Sequence, residues 1–160
     1  MYFTEFGDAK LYRWFESVGL TPRKSLTLGA IDVPDRYLMP LLRGLFEGDG
    51  TIQNFTHRPT PNTQPQYTYE RLWLYFASAS RAHVEWIASR VSGALTINGY
   101  VETQVTEGKR DFYRLKYGKH GSIALLARIY PDGSVPRLIR KWKIWDDYRR
   151  RCLNGAEGGI

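Results

Sequence analysis

The chain has 160 residues, a single cysteine (Cys152) and a formal net charge of +7. That length supports one domain with a core of its own, and a lone cysteine excludes an internal disulfide framework and a cysteine-based zinc site. No run of about 18 apolar residues is present, and Met1 to Phe6 carries Glu5 without a basic start. The expectation is therefore a soluble protein of the cytoplasm, or of an organellar matrix if organelle-encoded, with no membrane partner and no small-molecule cofactor. The basic balance and an aromatic content of 14% point toward a polyanion, a weak signal taken alone.

Asp8 to Val18 places Leu11, Trp14, Phe15 and Val18 at helical spacing ahead of Gly19, which predicts a short amphipathic helix. Thr21 to Leu26 reads as an extended connector whose Arg23 and Lys24 suit either phosphate contact or a solvated loop. Asp32-Val33-Pro34-Asp35 reads as a helix start, with the helix running to about Gly48. Pro40 either kinks that helix or marks where it properly begins.

The end of this helix, Leu41 to Gly50, is the most informative stretch. Gly44 and Gly48 lie four apart on one stripe, where a second backbone can approach closely, at about 1 kcal/mol of helix propensity each. Asp49 stands at the C-terminal end, where the macrodipole disfavours a carboxylate. A charge set against the local field suggests another role. Two copies packed through Leu41, Gly44, Leu45 and Gly48 would bring two Asp49 carboxylates side by side, placed to hold divalent metal.

From Thr51 the period changes to two. Thr51 to His57 and Tyr67 to Ala77 read as strands separated by the proline-rich stretch 58–65. In the second strand Leu72, Leu74 and Phe76 face the core while Arg71, Trp73 and Tyr75 face out. Ser80 caps a helix over about 81–91, with Val84, Ile87 and Val91 inward and Gly93 closing it. Leu95 to Val105 and Asp111 to Tyr117 form a second strand pair, turning through Thr106 to Lys109, with Tyr113, Leu115 and Tyr117 inward. Lys119 to Tyr130 is a helix whose inner face is read as Ile123, Leu126, Ala127 and Tyr130. Pro136 to Leu153 is a basic helix, and 154–160 is expected to be a disordered tail. Trp14, Trp86 and Trp142 are assigned to the core. His57, His83 and His120 are too scattered to argue a metal cluster.

Leu42 to Gly50 resembles the nonapeptide that names the LAGLIDADG homing endonucleases. Leu42, Gly44, Leu45, Asp49 and Gly50 match its letters; Phe46, Glu47 and Gly48 are apolar, acidic and small where it has Ile, Asp and Ala; Arg43 departs from it. The element order also agrees, so the resemblance extends over about 34–153. It implies an α+β fold, the αββαββα half-domain with a saddle-shaped antiparallel sheet and helices on one face. To this are added an N-terminal helix and connector (1–33) and a C-terminal basic helix, all in a single domain.

The resemblance further implies a site-specific double-stranded DNA endonuclease that acts as a homodimer on a long pseudo-palindromic target. Asp49 would be the catalytic metal ligand, helped by the backbone carbonyl of Gly48. The metal would be Mg²⁺, with Mn²⁺ or Ca²⁺ able to substitute for binding. Lys119, at the start of the helix after the fourth strand, matches a basic residue that can stabilise charge at the scissile phosphate. Ser80 stands where some members place a glutamine, and an N-cap suits it better.

DNA contacts should come from the outward face of the strands, since a β-ribbon fits the major groove. By alternation these are Gln53, Phe55 and His57, then Arg71, Trp73 and Tyr75, then Glu102 and Gln104, then Arg114 and Lys116. Two alternatives stay open: a non-cleaving nucleic-acid-binding protein of the same fold, such as an intron RNA maturase or a DNA-binding regulator, and one half of a split enzyme.

Overall fold

The structure, a computed structural model, describes residues 7–21, 24–57, 69–105, 107–108 and 111–152. Helix α1 (Ala9–Ser17) is capped by Asp8, whose carboxylate accepts from the Lys10 and Leu11 amides at 2.8 and 3.1 Å. Gly19 follows at φ +93, the left-handed turn expected after a helix. No residue of α1 is buried, and Trp14 is 55% exposed, which corrects its assignment to the core. The apolar spacing is there, but no residue of α1 joins the core cluster that would cover that face.

The second helix does not start at Asp32 to Asp35. A 3₁₀ turn (Asp35–Tyr37) comes first, and α2 runs Leu38–Asp49. Pro40 thus lies in the first turn, where its missing N–H costs no intrahelical bond, so it marks the helix start rather than a kink. Leu38, Leu42 and Phe46, spaced by four, form the buried face of α2.

Strands β1 (Thr51–His57), β2 (Tyr69–Ser78), β3 (Tyr100–Gln104) and β4 (Phe112–Tyr117) form one antiparallel sheet in the order β1-β2-β4-β3. Helices α2, α3 (Arg81–Leu95), α4 (Lys119–Ile129) and α5 (Ile139–Cys152) supply the layer that packs on it. Between the layers lie Leu42, Phe46, Leu72, Leu74, Phe76, Leu115, Tyr117, Leu125, Trp145 and Tyr148. The Phe46, Phe76 and Tyr117 rings meet edge to face at centroid distances of 6.2 and 6.5 Å, the arrangement the ring quadrupole favours. This is the α+β half-domain architecture, helices on one face and the other face open.

Other element readings change as well: Lys24–Leu26, expected as part of an extended connector, forms a 3₁₀ turn. Helix α3 continues through Gly93 to Leu95, where Thr96 at φ +56 ends it with its amide bonded to the Ser92 carbonyl. One exposed glycine costs about 1 kcal/mol, and Leu95 beyond it packs against the core, so the helix continues and β3 starts only at Tyr100. In α4 the inner residues are Ser122, Leu125, Leu126 and Ile129, while Ala127 is exposed. Ser122 can face inward because its hydroxyl donates to the Tyr117 carbonyl at 2.9 Å. Helix α5 begins at Ile139 rather than Pro136. Trp86 and Trp142 do pack, half-buried, against the core. The readings of Arg23, of 58–65, of much of the 106–109 turn and of the 154–160 tail lie outside the described residues.

The end of α5 is tied to the sheet by polar contacts on Glu70. Its carboxylate accepts from Asn54 Nδ2, Arg151 Nη2 and Cys152 Sγ, each at 2.8 Å. The Cys152 thiol above all, then Asn54 and Arg151, holds the Glu70 carboxyl at about 2 against an ordinary 4.5. A depressed acid contributes stability that is complete above the unfolded pKa and is lost as pH falls through the folded one. Glu70→Gln should therefore lower stability at neutral pH by about 1 kcal/mol, a figure discounted for partial exposure. It should also flatten the loss of stability expected for the natural chain in urea melts between pH 4.5 and about 2.

Candidate nucleic-acid face and acidic helix end

The register places the predicted outward residues on one surface. Gln53 pairs with Trp73 and Phe55 with Arg71 across β1 and β2; Tyr75 pairs with Lys116 across β2 and β4; Glu102 pairs with Arg114 and Gln104 with Phe112 across β3 and β4. Ile52, Leu72, Leu74 and Leu115, at the alternate positions, are buried on the helix side. The period of two thus holds on every strand.

The open face carries a ladder of rings and cations. His57 and Tyr69 lie 4.9 Å apart, and Phe55 meets Trp73 edge-on at 4.8 Å. The Arg71 guanidinium sits 4.3 Å from the Tyr69 ring centre, and Lys116 Nζ sits 3.5 Å over Trp73. Such stacking orders long side chains before any ligand arrives. Glu102 is not unopposed: its carboxylate pairs with Arg114 at 2.8 Å and Lys116 at 3.6 Å.

Tyr75 requires a correction. It is on the predicted face yet only 5% exposed, because Arg114 and Lys116 lie across its ring at 5.2 and 5.6 Å. It supports those two cations rather than offering a surface. Conversely, Tyr69, Tyr100 and Phe112 are exposed and continue the same face. Extending the alternation by two residues on each strand finds all three.

At the other centre of interest, α2 ends at Asp49, whose side chain is exposed. A cleft of about 420 Å³, lined by Leu28, Leu45, Asp49, Phe76, His83 and Ile87 among others, opens beside it. Gly44 and Gly48 are exposed, and a Cβ at either would meet nothing within 4 Å. Leu41 and Leu45 beside them are half-buried. Gly50 is different: a Cβ there would lie 2.6 Å from the Phe46 carbonyl oxygen and 2.6 Å from its ring. Gly50→Ala should accordingly destabilise the fold by about 1–3 kcal/mol, measured by chemical denaturation.

The opposite side of α2 is held by polar contacts from α4 and α5. Arg43 Nη1 donates to the Ile129 carbonyl at 3.2 Å, capping the end of α4. Glu47 accepts from the Tyr130 hydroxyl and from the Leu138 amide at 3.0 Å. Both partners are distant in sequence, and burial together with the Glu47 hydrogen bond and charge pushes the Tyr130 hydroxyl pKa up. Glu47 is fully occupied as a structural anchor.

Two lysines need separating. Lys119 opens α4 as expected, exposed, with Nζ 5.9 Å from the Tyr148 ring; none of its recorded contacts is with α2. Lys141, one of the many cations of the basic last helix, is buried and donates to the Phe46, Glu47 and Gly50 carbonyls. A signal was present: Lys141 lies four before Trp145 and seven before Tyr148, on the inner stripe of α5.

Asp49 and the Gly48 backbone carbonyl, to which no described residue donates, are hard oxygen donors of the kind Mg²⁺ prefers. Among the described residues no three His, Cys, Asp or Glu side chains gather as a metal site. One chain thus offers at its helix end one carboxylate and one carbonyl.

No family model and no curated protein matches the sequence. Solved structures do. The chain is similar to the homing endonuclease I-TnaI, with a TM-score of 0.52 and 13% identity over 80% of this chain and 77% of that one. It is similar also to the archaeal intron-encoded homing endonuclease I-Vdi141I, solved in complex with DNA, with a TM-score of 0.52 and 12% identity over 78% and 72%. At such identities the likeness is one of fold. With the nonapeptide Leu42–Gly50 on α2, the chain has the fold of the LAGLIDADG homing endonucleases.

Proposed function

We propose that the chain is a site-specific double-stranded DNA endonuclease, dependent on divalent metal and active as a homodimer. The observation that carries this reading is Asp49. It is an exposed carboxylate at the wrong end of a helix dipole, beside a bare glycine stripe, on a chain whose open sheet face is lined with ordered cations and rings. Neither feature is needed for the fold of a single chain.

In this reading the strands enter the major groove, where a two-stranded ribbon fits. Gln53, Gln104, Arg71, Arg114 and Lys116 meet base edges and phosphates. Phe55, His57 and Trp73 order those side chains, and Glu102 holds Arg114 and Lys116 in place. A second copy packs its α2 against the stripe at Leu41, Gly44, Leu45 and Gly48, bringing a second Asp49 and Gly48 alongside the first.

The two helix ends would hold Mg²⁺, for which Mn²⁺ or Ca²⁺ can substitute in binding. Bound divalent metal supplies an activated water and charge relief at the departing oxygen. Asp49 acts in this role as an oxygen ligand. Lys119, exposed at the first turn of α4, meets a phosphate of the duplex. Target specificity comes from the sheet face, not from the helix ends.

Incubation with a randomised duplex library in Mg²⁺ is the test. Recovery of a long, partly symmetric site cut on both strands supports the proposal. Metal-independent binding of RNA without any cleavage would overturn it in favour of a non-cleaving nucleic-acid binder.

A further inference from the structure

A helix leaves its last four carbonyls without intrahelical donors, and α2 settles its four unequally. The Gly50 amide bonds to the Phe46 carbonyl at 3.0 Å. Lys141 Nζ then reaches in from α5 to the carbonyls of Phe46 at 2.5 Å, Glu47 at 3.0 Å and Gly50 at 2.6 Å. An ammonium has three N–H donors, and here all three are spent on backbone oxygens. The residue is 3% exposed, with Nζ 4.9 Å from the centre of the Phe46 ring. Lys141 is therefore closed to ligand, and whatever it does beyond folding it does through α2.

The three carbonyls bracket Asp49, two before it and one after. The Gly48 and Asp49 carbonyls and the Asp49 carboxylate are the oxygens at this end that Lys141 leaves alone. The ammonium also places a positive charge where the helix dipole is negative and beside the Asp49 carboxylate. Burial depresses the Lys141 pKa and the Arg140 charge adds to this, while Glu47 and Asp49 oppose it.

Resting on the nuclease reading above, we infer that Lys141 is a positioning residue for the metal-binding turn. By taking the inward carbonyls on both sides of Asp49, it sets which oxygens of the helix end remain to face a divalent cation and holds them in place. It does not touch metal or DNA itself.

The test uses the full chain with a duplex recovered from the library selection, and follows Mn²⁺ binding by electron paramagnetic resonance, duplex affinity in chelator, and melting. Lys141→Met should weaken Mn²⁺ affinity roughly tenfold or more, as loss of a residue supporting a ligand does. Lys141→Gln, which retains two donors without the charge, should fall between it and the natural chain. Duplex affinity in chelator should not move for either.

Arg43→Met, which removes a different polar hold on α2, should lower melting and leave Mn²⁺ affinity unchanged. If Mn²⁺ binds Lys141→Met or Lys141→Gln as tightly as the natural chain, Lys141 is a helix cap and no more, and the nuclease reading stands. If neither variant folds, the inference fails too, because the lysine is then a condition of the fold rather than of the site. A natural chain that yields no cleaved duplex, or binds no Mn²⁺ on one, overturns this inference and the nuclease reading together.

Discussion

Asp49→Asn should reduce duplex cleavage by more than about a hundredfold while leaving duplex affinity in chelator intact. The change is isosteric, the side chain is exposed, and no described residue depends on it for a hydrogen bond. Stability should not fall. Removing a negative charge from the C-terminal end of a helix relieves the dipole but also ends its attraction to the Lys141 ammonium, so the melting temperature should change little. That pairing of lost activity with unchanged stability separates a functional carboxylate from a structural one. Single-turnover cleavage in Mg²⁺ alongside a urea melt provides both numbers. Cleavage at the natural rate by Asp49→Asn would remove the acidic helix end from the mechanism.

The second large effect concerns assembly. Gly44→Leu should convert the proposed dimer of twice 18.5 kDa into a folded monomer of 18.5 kDa, with loss of double-strand cleavage. A side chain at Gly44 meets nothing within 4 Å in the single chain, and leucine replaces the poorest non-proline helix former, a gain of about 1 kcal/mol in propensity. The monomer should therefore be at least as stable as the natural chain measured as a monomer. The cost falls only on a second backbone trying to approach the stripe, since overpacking a close helix contact costs about 1–3 kcal/mol per site and the two-fold applies it twice. Sedimentation of both proteins reads the outcome. A natural chain that is monomeric while cutting both strands, or a Gly44→Leu chain that remains dimeric, would dispose of the glycine stripe as an interface.

How much of this was legible in sequence depends on the range of the physics involved. Strand parity was legible because a period of two is a property of the local backbone. Every predicted outward residue, from Gln53 to Lys116, lies on the open face. The end of α2 was legible because Gly50 and Asp49 report on a helix terminus by their chemistry alone. Gly93 does not end its helix because a helix-breaking propensity of about 1 kcal/mol is overridden where a residue beyond it, here Leu95, packs against the core. Ser122 and Ala127 misled for a related reason: polarity was taken as the guide to facing, whereas a serine whose hydroxyl meets the Tyr117 carbonyl is as much an inner residue as its leucine neighbours.

Tyr75 and Lys141 mark the boundary most sharply. Alternation put Tyr75 on the outer face correctly but carried no information about Arg114 and Lys116 lying across it. Composition identified the last helix as basic, but could not separate its solvated lysines and arginines from the one that turns inward to the end of α2. The sequence by itself determined the order of the elements, the two faces of the sheet, and Asp49 at a helix terminus, since each is set by neighbours a few residues away. The tertiary structure alone decided that Arg43 and Glu47 anchor α2 to the α4–α5 segment and that Lys141, rather than Lys119, closes on the carbonyls around Asp49. Those contacts join residues 86, 91 and 91 positions apart. Only the packing of α2, α4 and α5 against one sheet brings them within hydrogen-bond reach.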